Sequence, residues 1–172
     1  FDRDPNVRTV AILATSEIAP IYPRIAEQLA KVLEDSSPQN RILAAQALQK
    51  TSFRAWDEIA APLLKATSDP VLEVRLAAVA AIGHTRVRKP APIYNRLIEL
   101  LATGDPKKQS AALHAFGNLK PKDEKVNKAI AGFLNSDDVV LKLQAITAIG
   151  KIKPKNQEIH LQLLAKLDDP DP

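Results

Sequence analysis

Apolar residues recur along this chain at offsets of three, four and seven, the spacing of one helical face, and the same arrangement returns five times. Five segments align: NVRTVAILATSEI, QNRILAAQALQKT, EVRLAAVAAIGHT, KKQSAALHAFGNL and VLKLQAITAIGKI. Their third residues are Arg8, Arg41, Arg75, Gln109 and Lys142, at spacings of 33, 34, 34 and 33. Three places on stands Ala in every case: Ala11, Ala44, Ala78, Ala112 and Ala145. Ile12, Ala45, Val79, Leu113 and Ile146 come next, and Thr15, Leu48, Ile82, Phe116 and Ile149 complete the stripe. A second amphipathic stretch follows each first one. Its apolar columns are Ile25, Ile59, Ile93, Val126, Ile159 and, four residues later, Leu29, Leu63, Leu97, Ile130, Leu163. No segment alternates apolar and polar over a useful length, so no sheet is expected.

Turn residues punctuate these stretches. Asp4-Pro5, Ser37-Pro38, Asp69-Pro70 and Asp105-Pro106 precede the first helices, with Asp137-Asp138 in the fifth unit. A side-chain oxygen there is expected to accept an orphan N–H, and Pro has no N–H to leave orphaned. Gly83, Gly117 and Gly150 stand where the first helices are expected to stop, in the left-handed conformation that Gly tolerates. The predicted helices are 5–15, 22–34, 38–50, 56–67, 71–83, 92–102, 106–118, 123–134, 138–150 and 156–167. Pro62 either delays or kinks the fourth.

Two helices per 33–34 residues, with an in-register Ala column, resemble HEAT repeats, in particular their short, Ala-rich bacterial form. The resemblance implies an all-α fold, a right-handed α-solenoid of about five two-helix repeats. It treats 1–172 as a single HEAT-repeat domain with repeats at 4–35, 36–68, 69–104, 105–136 and 137–168. Residues 169–172 would open a sixth, so the chain is expected to be a piece of a longer array. The resemblance also implies a ladder of Asp before and Arg within the first helices, matched by Asp35 with Arg41 and Asp69 with Arg75. Thr103 with Gln109 and Ser136 with Lys142 depart from it.

Chemistry narrows the function. The chain has no Cys, which excludes disulfides, thiolate catalysis and Cys-ligated metals. His84, His114 and His160 fall at unrelated repeat offsets without partners at ligand spacing, and no phosphate loop or nucleophile motif is present. No cofactor, no metal and no catalytic residue are expected, nor a membrane span. Only seven residues are aromatic (one Trp, two Tyr and four Phe), too few for a nucleic-acid stacking platform.

Two surfaces remain as candidates. Tyr22 and Trp56, 34 apart, would stand at the starts of adjacent second helices as an aromatic spot; burial under the turns is the ordinary alternative. The turns inside repeats three to five are basic: Arg86, Arg88, Lys89; Lys120, Lys122, Lys125; Lys151, Lys153, Lys155. Between His84 and Lys128 ten Lys/Arg face four acids, an excess above the +4 of the whole chain. Helix dipoles account for one base per helix end rather than three. The expected function is a non-enzymatic scaffold whose partner is another protein, with an anionic partner surface. The alternatives are a nucleic-acid or other polyanion binder using this basic edge, and an accessory domain of a larger enzyme, as in lyase-associated HEAT proteins.

Overall fold

The computed structural model describes residues 2–18, 22–50, 56–84 and 90–168, apart from the side chains of residues 23, 56–58 and 168. Among them the fold is all-α. Ten helices are present: α1 Pro5–Ile18, α2 Pro23–Val32, α3 Pro38–Gln49, α4 Trp56–Ala66, α5 Leu72–Ile82, α6 Ala91–Leu101, α7 Pro106–Leu119, α8 Glu124–Ala131, α9 Val139–Ile152 and α10 Gln157–Leu164. Short 3-10 turns follow α8 and α10, at Gly132–Asn135 and Ala165–Asp168. α4 runs through Pro62 without a break. Contacts divide the chain into two compact units, Phe1–Ile93 and Tyr94–Pro172.

In the first unit α1 packs on α3 and α3 on α5, while α2 packs on α3 and α4 and α4 packs on α5. Ala44, Ala78, Leu48 and Ile82 are wholly buried, as are Ile59 and Leu63 of the second helices. Small Ala at the crossing lets two helix backbones come close, and the larger neighbours fill the space around it. The α1 end is different: Val7, Val10 and Leu13 are exposed, and Ala11 lies open beside an apolar hollow lined by Ile12, Ile25 and Leu29.

Ion pairs link successive first helices of this unit. Arg8 donates through Nε and Nη2 to the two carboxylate oxygens of Asp35 (2.6 and 2.8 Å), and Arg41 does the same to Asp69 (2.8 and 3.0 Å). Each ion pair therefore joins an Arg to the acid that precedes the next first helix, not to the acid six residues before it. The intra-repeat partner is a carbonyl: Arg41 Nη1 donates to Asp35 O (2.8 Å) and Arg75 Nη1 to Asp69 O (2.6 Å). The Arg8 fork holds the Asp35 carboxyl below the usual carboxylate range against the opposing effect of burial. For Asp69 burial is the largest influence and opposes ionisation, but the Arg41 fork and the Val71 N–H outweigh it, and that carboxyl too is lowered. Arg75 Nε is buried with no partner among the described residues.

Asp69 is consequently not a helix cap. The residue preceding α5 is Val71, and Asp69 instead accepts the Val71 N–H (2.9 Å) in a local turn. Ser37 precedes α3 but makes no capping bond either.

The second unit packs α7 on α9 and α8 on α9, around Ala112, Leu113, Phe116, Ile130, Leu134 and Ala145. Tyr94 of α6 tilts over Phe116 at a ring separation of 6.1 Å. Here the caps form. Asp105 accepts from Lys107 and Lys108 N–H, Asp123 from Lys125 and Val126, Asp138 from Val140 and Leu141, and Asn156 from Ile159.

The glycine stops are corrected. Gly83 follows α5 in the right-handed region at φ −58°, and Gly117 and Gly150 lie inside α7 and α9, each of which runs two residues further. Gly117 serves packing: a Cβ there would meet Ala148 Cα at 3.2 Å, so α7 and α9 approach closely at this point. The left-handed stop is made by lysine at both places, Lys120 at φ 50° and Lys153 at φ 53°.

Candidate binding groove

Leu119-Lys120-Pro121-Lys122-Asp123 and Ile152-Lys153-Pro154-Lys155-Asn156 repeat one turn at a spacing of 33 residues. A lysine in the left-handed region costs about 1–2 kcal/mol. The turn holds it there from both sides. Lys120 N–H donates to Phe116 O (2.9 Å) and Lys153 N–H to Ile149 O (2.8 Å). Pro121 and Pro154 follow, buried, with φ fixed by their rings. Asp123 and Asn156 then cap α8 and α10. The two turns are tied together where Asn156 Nδ2 donates to Glu124 Oε1 (3.0 Å), and the His160 ring N–H donates to Pro154 O (2.6 Å).

Between these turns lies a groove of about 610 Å³. Pro121, Ile152 and Pro154 line it together with Lys122, Lys153 and Lys155, and Glu124, Asn127 and Asn156 complete it. Lys122, Lys153 and Lys155 are exposed and form no ion pair among the described residues. Glu124 is engaged, by Asn156 and by Lys128 Nζ at 3.4 Å.

Asn127 stands apart. It is 5% exposed, and its Oδ1 is buried without a hydrogen-bond partner among the described residues. Such a group costs about 1–3 kcal/mol. Asn40 in the first unit shows the ordinary outcome: wholly buried, it accepts from Thr9 Oγ1 (2.6 Å) and donates to Pro5 O (3.2 Å).

Of the basic residues singled out in the sequence, Lys122, Lys153 and Lys155 meet at this groove. Lys120 and Lys125 are exposed and do not line it, and Lys151 donates to Asn118 Oδ1 at 3.3 Å. Arg86, Arg88 and Lys89 lie outside the described residues, as does the side chain of Trp56; Tyr22 is 56% exposed. Sequence reading passed over Asn127. Its signal was available: the residue after the apolar column is Ala26, Ala60, Tyr94, Asn127 and His160 in turn, so a carboxamide follows where the first two repeats carry Ala. Of the charged residues of the second helices, Lys65 pairs with Glu34, just past α2 (2.5 Å), and Arg96 with Glu99 (2.8 Å).

A repeating pair of helices with a side groove between equivalent turns defines a helical-repeat protein, and its fold is the armadillo-like α-solenoid. Among solved structures it is similar to an engineered protein at 19% identity and a TM-score of 0.69, covering 99% of this chain and 86% of that one. A designed armadillo repeat protein in complex with the peptide (KR)4 matches at 18% identity and 0.69, covering 99% and 90%. Computationally designed armadillo repeat proteins for modular peptide recognition match at 19% and 0.61, covering 97% and 84%. No family model matches the chain, and no curated protein matches it.

Proposed function

We propose that this chain is a non-enzymatic protein-binding scaffold that engages its partner through the basic edge of its last repeats. The groove between the two lysine turns carries the reading. It is a concave site of the size of ordinary ligand clefts, about 300–1,000 Å³, and its three lysines are held by rigid, proline-fixed turns without internal counter-ions. A fixed turn backbone spares the cost of ordering the turn itself on binding. Two helices per unit favour the HEAT form of the solenoid over a three-helix armadillo unit. One similar designed protein is described with a bound basic peptide, (KR)4; the sign of this groove asks for the opposite charge in a partner.

Selection from a displayed random-peptide library on the immobilised chain tests the reading. The expected result is enrichment of a peptide family that the Lys122→Glu/Lys153→Glu/Lys155→Glu variant, still folded by circular dichroism, no longer retains. A library that yields nothing above the level of the reversed variant contradicts it.

The polyanion alternative draws on the same lysines. Glu124 in the groove wall weighs against it, since a phosphate backbone would run past a carboxylate.

A further inference from the structure

We propose that copies of this chain join end to end, the α9–α10 end of one packing on the exposed α1 face of the next in the register of the repeats. Such a joint is heterologous and leaves one unused face at each end, so it builds open arrays and not closed dimers.

Inside the chain a first helix is covered by the helix pair before it: α1 and α2 pack on α3, α3 and α4 on α5, and α7 and α8 on α9. That cover buries Ala44 and Leu48 of α3, Ala78 and Ile82 of α5, and Ala145 and Ile149 of α9. On α1 the same column is Ala11 and Thr15. Ala11 is exposed, Thr15 is half-buried, and the apolar hollow beside them measures about 290 Å³.

Asp2, which also lines the hollow, keeps the form of a covered repeat. Its backbone carbonyl accepts from Arg8 Nη1 (2.7 Å), and its Oδ1 accepts the Asp4 N–H (2.9 Å). Asp35 and Asp69 are held in the same two ways, the first by Arg41 and Ser37, the second by Arg75 and Val71. Each of those carboxylates then receives a guanidinium from the preceding first helix. The Asp2 carboxylate forms no ion pair among the described residues. It is posed for a cation that arrives along the stack.

The other end of the chain supplies the matching half. Ile146 and Leu167 occupy the places of Ile12 and Leu33 in the first repeat. Ile12 and Leu33 are buried, whereas Ile146 is half-buried and Leu167 is 81% exposed. Gly150 occupies the place of Gly117, whose added Cβ would press on Ala148; at Gly150 a Cβ would meet nothing within 4 Å. The residue of α1 in register with Ala148 is Ala14, which is exposed. In the joint Gly150 therefore lies against Ala14, and Ile146 and Leu167 enter the hollow. Lys142 holds the ladder position on α9 and is the cation in register with Asp2. An ammonium has three donors, so a bond within its own repeat leaves others for that acid. A second copy is the occupant because both halves of the joint stand on one chain and continue the interface that the repeats already use.

Sedimentation velocity and light scattering of the full chain over a concentration series test this. The mass is expected to climb with concentration past that of two copies and to persist in added salt, because the joint is mainly apolar. Ala14→Arg and Gly150→Arg alter exposed helix surface, keep the circular dichroism of the wild type and should each be monomeric. Mixed together they should stop at the mass of two copies, since one sound joint remains. Gly150→Ala should weaken association about tenfold while making the single chain more stable, because the added methyl favours the helix and crowds only the joint. A wild type that stays monomeric at its highest soluble concentration overturns the proposal and leaves the α1 face to another occupant. A dimer formed by Gly150→Arg alone overturns it too, since the α1 face would then pair with itself. So does an oligomer that salt dissolves or that both arginine variants retain.

Discussion

In the first unit Arg8 and Arg41 reach forward to Asp35 and Asp69, whereas in the second Gln109 and Lys142 occupy the same repeat position. Neither Ser37 nor Val71, the residues preceding α3 and α5, makes a side-chain cap; α7, α8, α9 and α10 all have one. The same apolar columns are thus held by two kinds of polar chemistry. The Asp before a first helix can accept a neighbouring repeat's Arg, or it can cap its own helix. Asp69 takes the first course and Asp105 the second, where it accepts Lys107 and Lys108 N–H. The series of forward acids ends in the sequence at Thr103. Within the first unit the Arg75 Nε is buried without a partner among the described residues.

The largest expected effect comes from cutting the ladder. Arg41→Met strands the Asp69 carboxylate, which is 9% exposed, and should destabilise by about 2–4 kcal/mol in urea titrations. Gln109→Ala, at the equivalent place, loses only its bond to Leu101 O (2.8 Å) and should cost about 1 kcal/mol. Equal costs would dissolve the contrast between the units.

Capping gives the next test. Asp123→Ala should cost about 1 kcal/mol, while Ser37→Ala, which removes no capping bond, should change stability by less than about 0.5 kcal/mol. Acid sharpens the comparison from another side. Asp35 and Asp69 are lowered in the folded chain, so their contribution is present above the unfolded value, about 3.9, and is lost as pH falls through the folded one. Hydrogen exchange in α3 should therefore accelerate below about pH 4, and Arg41→Met should flatten that dependence.

Glycine supplies the smallest effect. Gly150→Ala in α9 meets nothing within 4 Å and should stabilise by about 0.5–1 kcal/mol. Gly117→Ala should show no such gain, because its Cβ would press on Ala148 Cα at 3.2 Å.

The helices and their columns were legible because burial repeats: Ala44, Ala78, Ala112 and Ala145 are each 0% exposed. Composition could not separate two uses of one residue. Gly117 looks like a helix stop until Ala148 is placed beside it, and Asp69 looks like a cap until Arg41 arrives from the preceding repeat. At the groove, the lysine runs were visible in the sequence. That Lys122, Lys153 and Lys155 converge while Lys151 turns to Asn118 depends on the left-handed turns, which no residue type at Lys120 or Lys153 announces. Asn127 was concealed for a similar reason: only burial distinguishes an unmet amide from a solvated one.

Hydrogen exchange of the full chain, with and without a peptide selected from the displayed library, tests the central claim that the second unit binds through its turns while the ladder of the first is structural. The account predicts slowed exchange confined to 120–127 and 152–156, absent in Lys122→Glu/Lys153→Glu. Slowing across α1 to α5 instead, or equal slowing in that variant, would contradict it.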